Sequence, residues 1–549
     1  MSRVSKRAGA QKRDVFGRMQ RVWGESPFYQ AKLRGPAPDR LLFQPDDPYT
    51  PDQEAAEAIL EGRIAVGDEV LDCEGELDAI WNLPKPKSSA YAFLHEFGWL
   101  RHLASLGSRA QPASRIMVRS WLDGFEKWAS EAWDPYIVSE RLVAICAHHP
   151  LILTGSDSLW RSRVLTSMAR QTRHLALNAH RADTGLDRLM TALGLCVVGH
   201  CLPGCEAAAE RGMEMARREL RLQLRADGGH VSRNPSRQLK LAVRLIAVLR
   251  AVEARGFQSP GFLRHTVMRA CAMAVFFRCG DGRLVVFNGG HEDDARALLA
   301  VQQMLEPDVA PTGFARHSGY HKLSGGRAQL VVDTAADEGA HRFKSASAFH
   351  FSSGRSRIIG NCGAGTGRAS DWRAAMTLRA AHSSLSFEFA ETSAQAQPSF
   401  ADIACRRAED GQGSLIEVER RLLGADAMDG LTVRRLFLAA GGADLRGEET
   451  LSGLTEDLRA AAVWRFHLHP SVKASLARDR KSVLLLLPNK EGWRFKSNAK
   501  TLFLEKSVYC GEGGAPVAAE QITLRAGNVL AVDDDKICAK WALRRLDAG

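Results

Sequence analysis

Asp227-Gly228-Gly229-His230-Val231-Ser232-Arg233-Asn234-Pro235 puts a histidine, an arginine and an asparagine on a glycine turn between two long stretches of helical periodicity. Glycine admits positive φ and close approach of a ligand. Pro235 stands where a helix can begin, since its missing amide would be unpaired in the first turn anyway. A helical domain displays polar chemistry at such a junction, here of a kind suited to a sugar-sized anion.

Upstream, Trp121, Leu122, Phe125 and Trp128 recur at helical spacing, as do Leu142, Ile145 and Cys146. Further helices are predicted over 159–181, 186–201, 205–225, 235–255 and 260–278, bounded by Gly, Pro or Asp/Asn/Ser. Helices of this length joined by short loops bury their apolar stripes against each other, and a ring of helical hairpins is one solution. No fixed-period repeat points to a solenoid. From about residue 282 the period changes to short β-rich runs, at 283–287, 328–333, 347–351, 357–359 and 384–389, then 433–438, 462–467, 482–487 and 501–504. Many short strands between Gly/Ser/Asp turns predict a sandwich or related all-β architecture. Residues 306–316, with two prolines, read as the link between the halves, and 391–412 as a surface loop or edge region.

The chain has 549 residues, 45% hydrophobic and 25% charged, enough for two or more cores. Its net charge of +11 suits a polyanion. Nucleic acid fits that sign, but no zinc finger, RNA-recognition sequence or P-loop is present and aromatics are 7%, so an acidic polysaccharide or oligosaccharide is the expected partner, with no specific nucleic acid. Eleven cysteines, an odd and scattered set, read as reduced core thiols, and Cys201 with Cys205 has no second pair to make a zinc site. Basic residues crowd Met1–Trp23 without a following apolar run, so no secretory signal is expected. No run reaches the ~18 apolar residues of a membrane span. A cytoplasmic protein is the plain reading, with the cell envelope or periplasm as the alternative.

The opening stretch continues in the second half through His317-Ser318-Gly319-Tyr320-His321, Ala340-His341, Ala348-Phe349-His350-Phe351-Ser352-Ser353-Gly354-Arg355, Asn361-Cys362-Gly363 and Arg379-Ala380-Ala381-His382-Ser383. In this order they resemble the heparinase II/III family of polysaccharide lyases, and the likeness covers most of the chain. The resemblance implies a multidomain α and β fold. Residues 1–40 would be a basic arm and lead-in, 41–305 an α/α toroid (an incomplete helical barrel), and 306–549 an antiparallel β-sandwich, with any site at their junction. It implies cleavage of a uronic-acid-containing glycan by β-elimination, or, alternatively, a non-catalytic acidic-glycan-binding protein with a degraded lyase site.

Elimination across C4–C5 of a uronate needs a group to blunt the carboxylate, a base for the C5 proton and an acid for the leaving oxygen. The candidates are His230, Tyr320 and His341 for catalysis, and Arg233, Asn234, His291 and His321 for substrate. Departures from the family are equally specific. In its His-x-His-x-Asp segment the first histidine is His341, but the second becomes Phe343 and the aspartate Ser345. Its "VDPG" turn is Asn361-Cys362-Gly363 here, leaving His382 alone as a good ligand, so no metal and no other cofactor are expected. After Pro235 the family's Tyr-His becomes Arg237-Gln238.

Each candidate has a structural reading beside the chemical one. His230 can bond its own turn, Arg233 can pair with a carboxylate, Asn234 is a good N-cap before Pro235, and Tyr320 can pack. Asn288-Gly289-Gly290-His291-Glu292-Asp293-Asp294 reads first as a turn followed by a helix cap, with His291 near the domain junction. His467 and His469 alternate along a strand, a spacing that more often marks a polar sheet face than a metal site. Trp99, Trp121, Trp128, Trp133 and Trp160 read mostly as core.

Overall fold

A computed structural model describes residues 24–546 apart from 25, 130, 307–312, 337–342, 366–369, 390–397, 425–429, 530 and 534. The basic stretch Met1–Trp23 and His341 therefore lie outside the described residues. The chain divides into two compact units, one of residues 1–224 and 241–267, the other of 225–240 and 268–549. Residues 225–240 and 268–305, read from sequence as part of the helical domain, thus belong to the unit that carries the sheets.

The first unit is helical. After short helices and a small hairpin, β1 (Arg63–Val66) with β2 (Glu69–Asp72), come α1 (Gln111–Phe125), α2 (Pro135–Leu153), α3 (Ser158–Asn178), α4 (Leu186–Cys201) and α5 (Glu206–Gln223). Asp134 and Asp157 cap α2 and α3, each accepting from amides of the first turn. Almost every side chain of α4 from Leu189 to Gly199 is buried, because α4 packs on both α2 and α5. Gly199 and Gly212 let α4 and α5 approach closely: a Cβ on Gly199 would stand 2.5 Å from the Ala209 amide nitrogen. Of the five tryptophans read mostly as core, Trp99, Trp121, Trp133 and Trp160 are buried, and Trp128 is half-buried beyond the end of α1. Two further helices, α6 (Pro235–Ala254) and α7 (Gly261–Phe276), cross the unit boundary in sequence, and α8 (Ala295–Gln302) is capped by Asp294.

The second unit is a two-sheet antiparallel sandwich. One sheet holds β3 (Phe314–Ala315), β4 (Tyr320–Gly325), β5 (Ala328–Asp333), β6 (Phe349–Ser353), β7 (Ser356–Gly360), β8 (Leu385–Phe387), β13 (Ala462–Leu468), β17 (Phe503–Tyr509) and β18 (Val517–Arg525). The other holds β9 (Ser399–Asp410), β10 (Gly413–Leu423), β11 (Leu431–Ala439), β12 (Asp444–Ser452), β14 (Lys473–Leu476), β15 (Ser482–Leu486), β16 (Gly492–Ser497), β19 (Ala531–Asp533) and β20 (Lys536–Arg545). Their strand orders are β17-β18-β13-β7-β6-β5-β4-β3 and β14-β15-β16-β20-β12-β11-β10-β9. Between them Trp541 stacks on Phe349 and Phe495 and meets Phe466 edge-on at 5.0 Å.

The two sheets differ in what covers them. Strands β10, β11 and β12 alternate buried and accessible residues, as a sheet with one solvent face must, whereas β6, β7 and β13 are buried throughout. The second cover is the chain at 277–292. Leu284 O accepts from Arg357, Val286 O from Asn361, and Phe276 O and Arg278 O from Lys322 on β4. The run 283–287, read from sequence as a strand, is buried from Leu284 on and makes one isolated antiparallel bridge, Leu284 with Arg278, but joins no ladder; its backbone groups are met by side chains and by the backbone of Phe277, Cys279 and Glu292. Within 391–412, read as a loop or edge region, Ser399–Asp410 is β9, the edge strand paired to β10.

Candidate functional site

The glycine turn at 227–235 folds back on the sandwich within the second unit. Gly228 takes φ 84°, and a Cβ there would stand 2.3 Å from the Arg269 carbonyl oxygen. Gly228→Ala should lower stability by about 2 kcal/mol, read as a shift in denaturant midpoint without change of slope; an unchanged midpoint would show that the turn can relax at no cost. Gln238, on the first turn of α6, ties the loop down, accepting from the His230 amide at 2.7 Å and donating to Gly228 O and Ala270 O. Asp227 accepts from both the amide and the hydroxyl of Ser318.

Four of the seven expected site residues converge here. Arg233, in the left-handed region at φ 56°, aims its guanidinium into the protein: Nε donates to Ser318 O at 2.9 Å, Nη2 pairs with the Asp333 carboxylate, and the plane lies 4.7 Å from the Tyr320 ring centre. The side chains of Arg233 and Asp333 are 2% and 0% exposed. Tyr320 is wholly buried, its hydroxyl donating to Arg233 O at 2.8 Å and accepting from Asn288 Nδ2 at 2.6 Å. Ser345 Oγ, where the family has an aspartate, lies 2.8 Å from Asp333 Oδ2 and 3.0 Å from Asn288 Oδ1. Asn234 caps α6, accepting from the Arg237 amide, and donates to Asn288 O.

Burial controls the protonation of this group. His230 is pushed down to about 4 by desolvation, with the charges of Arg237 and Arg225 adding, so the imidazole is neutral near pH 7. Its Nδ1 accepts from the Ser232 amide at 3.1 Å and lies 2.7 Å from Ser232 Oγ. Desolvation raises Tyr320 above the usual phenol range. The cluster is a closed hydrogen-bonded knot, with the arginine expected to meet substrate facing an internal aspartate and the tyrosine expected to donate a proton sealed from solvent.

The remaining candidates lie apart from the knot. His321, next to Tyr320 but on the opposite face of β4, packs at 4.2 Å on the Phe314 ring beside Cys405, and burial lowers it to about 4. His291 is half-buried on the neighbouring loop, its Nδ1 on Cys510 O and its amide on Ser236 Oγ. His341 lies outside the described residues.

Sequence reasoning did not reach Asp333; it met Ser318 and Gln238 only inside family-like stretches, without a role, and read Asn288 only as part of a turn. Positive φ at Asn288, 49°, and at Gly289, 75°, is the structural trace of that Asn-Gly-Gly signal. Just beyond it, Glu292 forms a second buried knot with His469 at 3.1 Å, Tyr509 at 2.6 Å and the Arg357 guanidinium. Burial alone would raise Glu292, but the bond from His469, the Arg357 charge and the Tyr509 hydroxyl outweigh it and hold the carboxyl below the usual range. His467 is engaged by Ala380 O and Ser507 instead, so the two alternating histidines share no ligand.

No three His, Cys, Asp or Glu side chains converge to hold a metal among the described residues. His382 is buried with neither ring nitrogen hydrogen-bonded, and Phe343 lies 6.4 Å away, centre to centre. Asn361 donates to Val286 O and accepts from the Ser383 amide, while Cys362 lies against His467. The donor set offers one imidazole and no carboxylate.

Residues 307–542 match the model of the family described as Heparinase II/III-like, C-terminal. This part of the chain is thus similar to the heparinase II/III-like C-terminal domain. FtsZ-localized protein C of Caulobacter vibrioides is 29% identical over 546 residues, covering 93% of this chain and 92% of that one. Among solved structures, a heparinase III superposes with a TM-score of 0.68 at 13% identity, over 100% of this chain and 92% of its own. The heparan sulfate lyase HepC of Pedobacter heparinus, as a mutant, gives 0.61 at 13% over 95% and 88%. At this identity the likeness shows the fold: a helical toroid region followed by an antiparallel β-sandwich, the class implied by the sequence. No helix among the described residues is long and apolar enough to cross a membrane.

Proposed function

We propose that this heparinase-fold protein is non-catalytic and acts as a binding protein at the cell-division site, in the cytoplasm, in association with FtsZ. The observation that carries the first half is the buried Arg233–Asp333 pair with Tyr320 beneath it: groups that would have to meet a uronate are consumed by one another. A buried guanidinium satisfied by a carboxylate and a carbonyl has little to gain from a substrate anion. Support for the second half is the relative named FtsZ-localized protein C, matched along nearly the whole chain.

The test has two arms. Purified protein given heparan sulfate, chondroitin or alginate is expected to yield no unsaturated, ultraviolet-absorbing product. A fluorescent fusion is expected at midcell, dispersing when FtsZ is depleted. Product that vanishes with His230→Ala would overturn the non-catalytic reading, and a fusion indifferent to FtsZ would overturn the division role.

A second reading is favoured by the extent of the fold shared with heparinase III: a lyase on an acidic glycan, or a binder of such a glycan. Its signature would be salt-sensitive binding to an acidic polysaccharide lost in Arg237→Ala, the arginine standing where the family has tyrosine.

A further inference from the structure

The sheet of β9–β12, β14–β16, β19 and β20 has one face toward the Trp541 core, and its other face carries a groove of about 460 Å³. Strand register explains the groove. Phe437 on β11 pairs with Arg446 on β12, Arg446 with Ala542 on β20, and Ala542 with Lys496 on β16. A small alanine between two long cationic side chains leaves a pit, and Phe437 with Leu415 continues its apolar floor. The next row sets Arg435 beside Glu448 and Glu448 beside Lys540.

The rim is unbalanced in charge. Arg435, Arg446, Lys496 and Lys540 line the groove against one carboxylate, Glu448. Arg435 is held by Glu417 and Glu448, Arg446 by Asp444, and Lys540 lies 3.5 Å from Glu448. Exposed Lys496 has no carboxylate within ion-pair distance among the described residues, and Arg494, on the same face of β16, has none either. Apolar floor and cationic rim together select a ligand that carries both a hydrophobic side chain and negative charge.

We infer that this groove binds an acidic peptide segment of a partner protein, an aliphatic or aromatic side chain seated over Ala542 and Phe437 with flanking carboxylates on Lys496 and Lys540. Nucleic acid would use the cations and leave the floor empty. A flat bilayer does not reach a floor recessed between Arg446 and Lys496. The inference goes beyond the proposed function and stands whether or not the protein cleaves a glycan.

The probe is a fluorescein-labelled peptide of alternating aspartate and leucine, titrated with the full chain and followed by anisotropy. Lys496→Glu and Ala542→Gln, both on the solvent face, should each weaken binding by about tenfold or more, and added salt should weaken it further. The same peptide with asparagine for aspartate should not bind. Thermal melting and circular dichroism confirm that the variants fold. Equal affinity in both folded variants, or equal binding of the asparagine peptide, overturns the inference. So does Lys496-dependent sedimentation with phosphatidylglycerol vesicles when the acidic peptide fails to bind, which would make the face a lipid surface instead.

Discussion

Arg233→Ala is expected to destabilise the sheet-bearing unit by about 3–5 kcal/mol, because it strands the Asp333 carboxylate in a site that is 0% exposed. Asn288 and Ser345 would still donate to that carboxylate, but no cation would replace the guanidinium. Replacing both partners, as Arg233→Met with Asp333→Leu, should recover much of the loss, since the desolvation cost of each ion disappears with it. Denaturant midpoints of the two single variants and the double variant make the cycle. A substrate-binding arginine predicts the opposite pattern: Arg233→Ala melting like the parent while glycan binding is lost. That result would sink the reading of Arg233 as an internal ion pair.

Acid should unfold this protein early and steeply. His95, His174, His382 and His467 are each pushed down to about 3, and His230 and His321 to about 4, in every case chiefly by burial. The folded chain keeps these imidazoles neutral, whereas the unfolded chain takes up protons near 6.5, the ordinary value for histidine. Their contribution is therefore complete above pH 6.5 and falls as pH drops from 6.5 toward the folded values, by up to about 1.4 kcal/mol per pH unit for each histidine. Glu292, held low by His469, Arg357 and Tyr509, adds a loss of the same sign at lower pH, as the solution passes below the ordinary carboxylate range. Denaturant midpoints from about pH 7.5 to 4.5 measure the slope. His382→Leu removes two buried ring nitrogens that lack partners, so it should be neutral or stabilising at pH 7 and should flatten the acid limb. A midpoint constant down to pH 5 would rule out this burden of buried neutral histidine.

Local signals read well wherever one residue and its near neighbours settle the matter. The helix predicted over 186–201 is Leu186–Cys201, and α6 begins at Pro235 because Asn234 supplies the cap and proline has no amide to leave unpaired. Asp294 likewise caps α8, as the acidic end of the Asn-Gly-Gly loop implied. The run at 283–287 had the β-branched composition of a strand and is as buried as one, but whether it joins a ladder depends on the side chains of Arg357 and Asn361, dozens of residues away. Composition registers burial and extension; it carries no information about which donor meets a given carbonyl.

The glycine turn shows the same division most sharply. Its conformation and its helix cap follow from nine consecutive residues, and the succession of a helical region and an antiparallel sandwich follows from the change of period near residue 282. What Arg233 contacts is decided by Asp333, one hundred positions along the chain, and what Tyr320 contacts by Asn288 and the Arg233 carbonyl. An arginine on a glycine loop looks the same in sequence whether it faces solvent or a buried carboxylate. The energy of a charge depends on what surrounds it in space, and that is decided only when the strands are paired and the loop is laid across them.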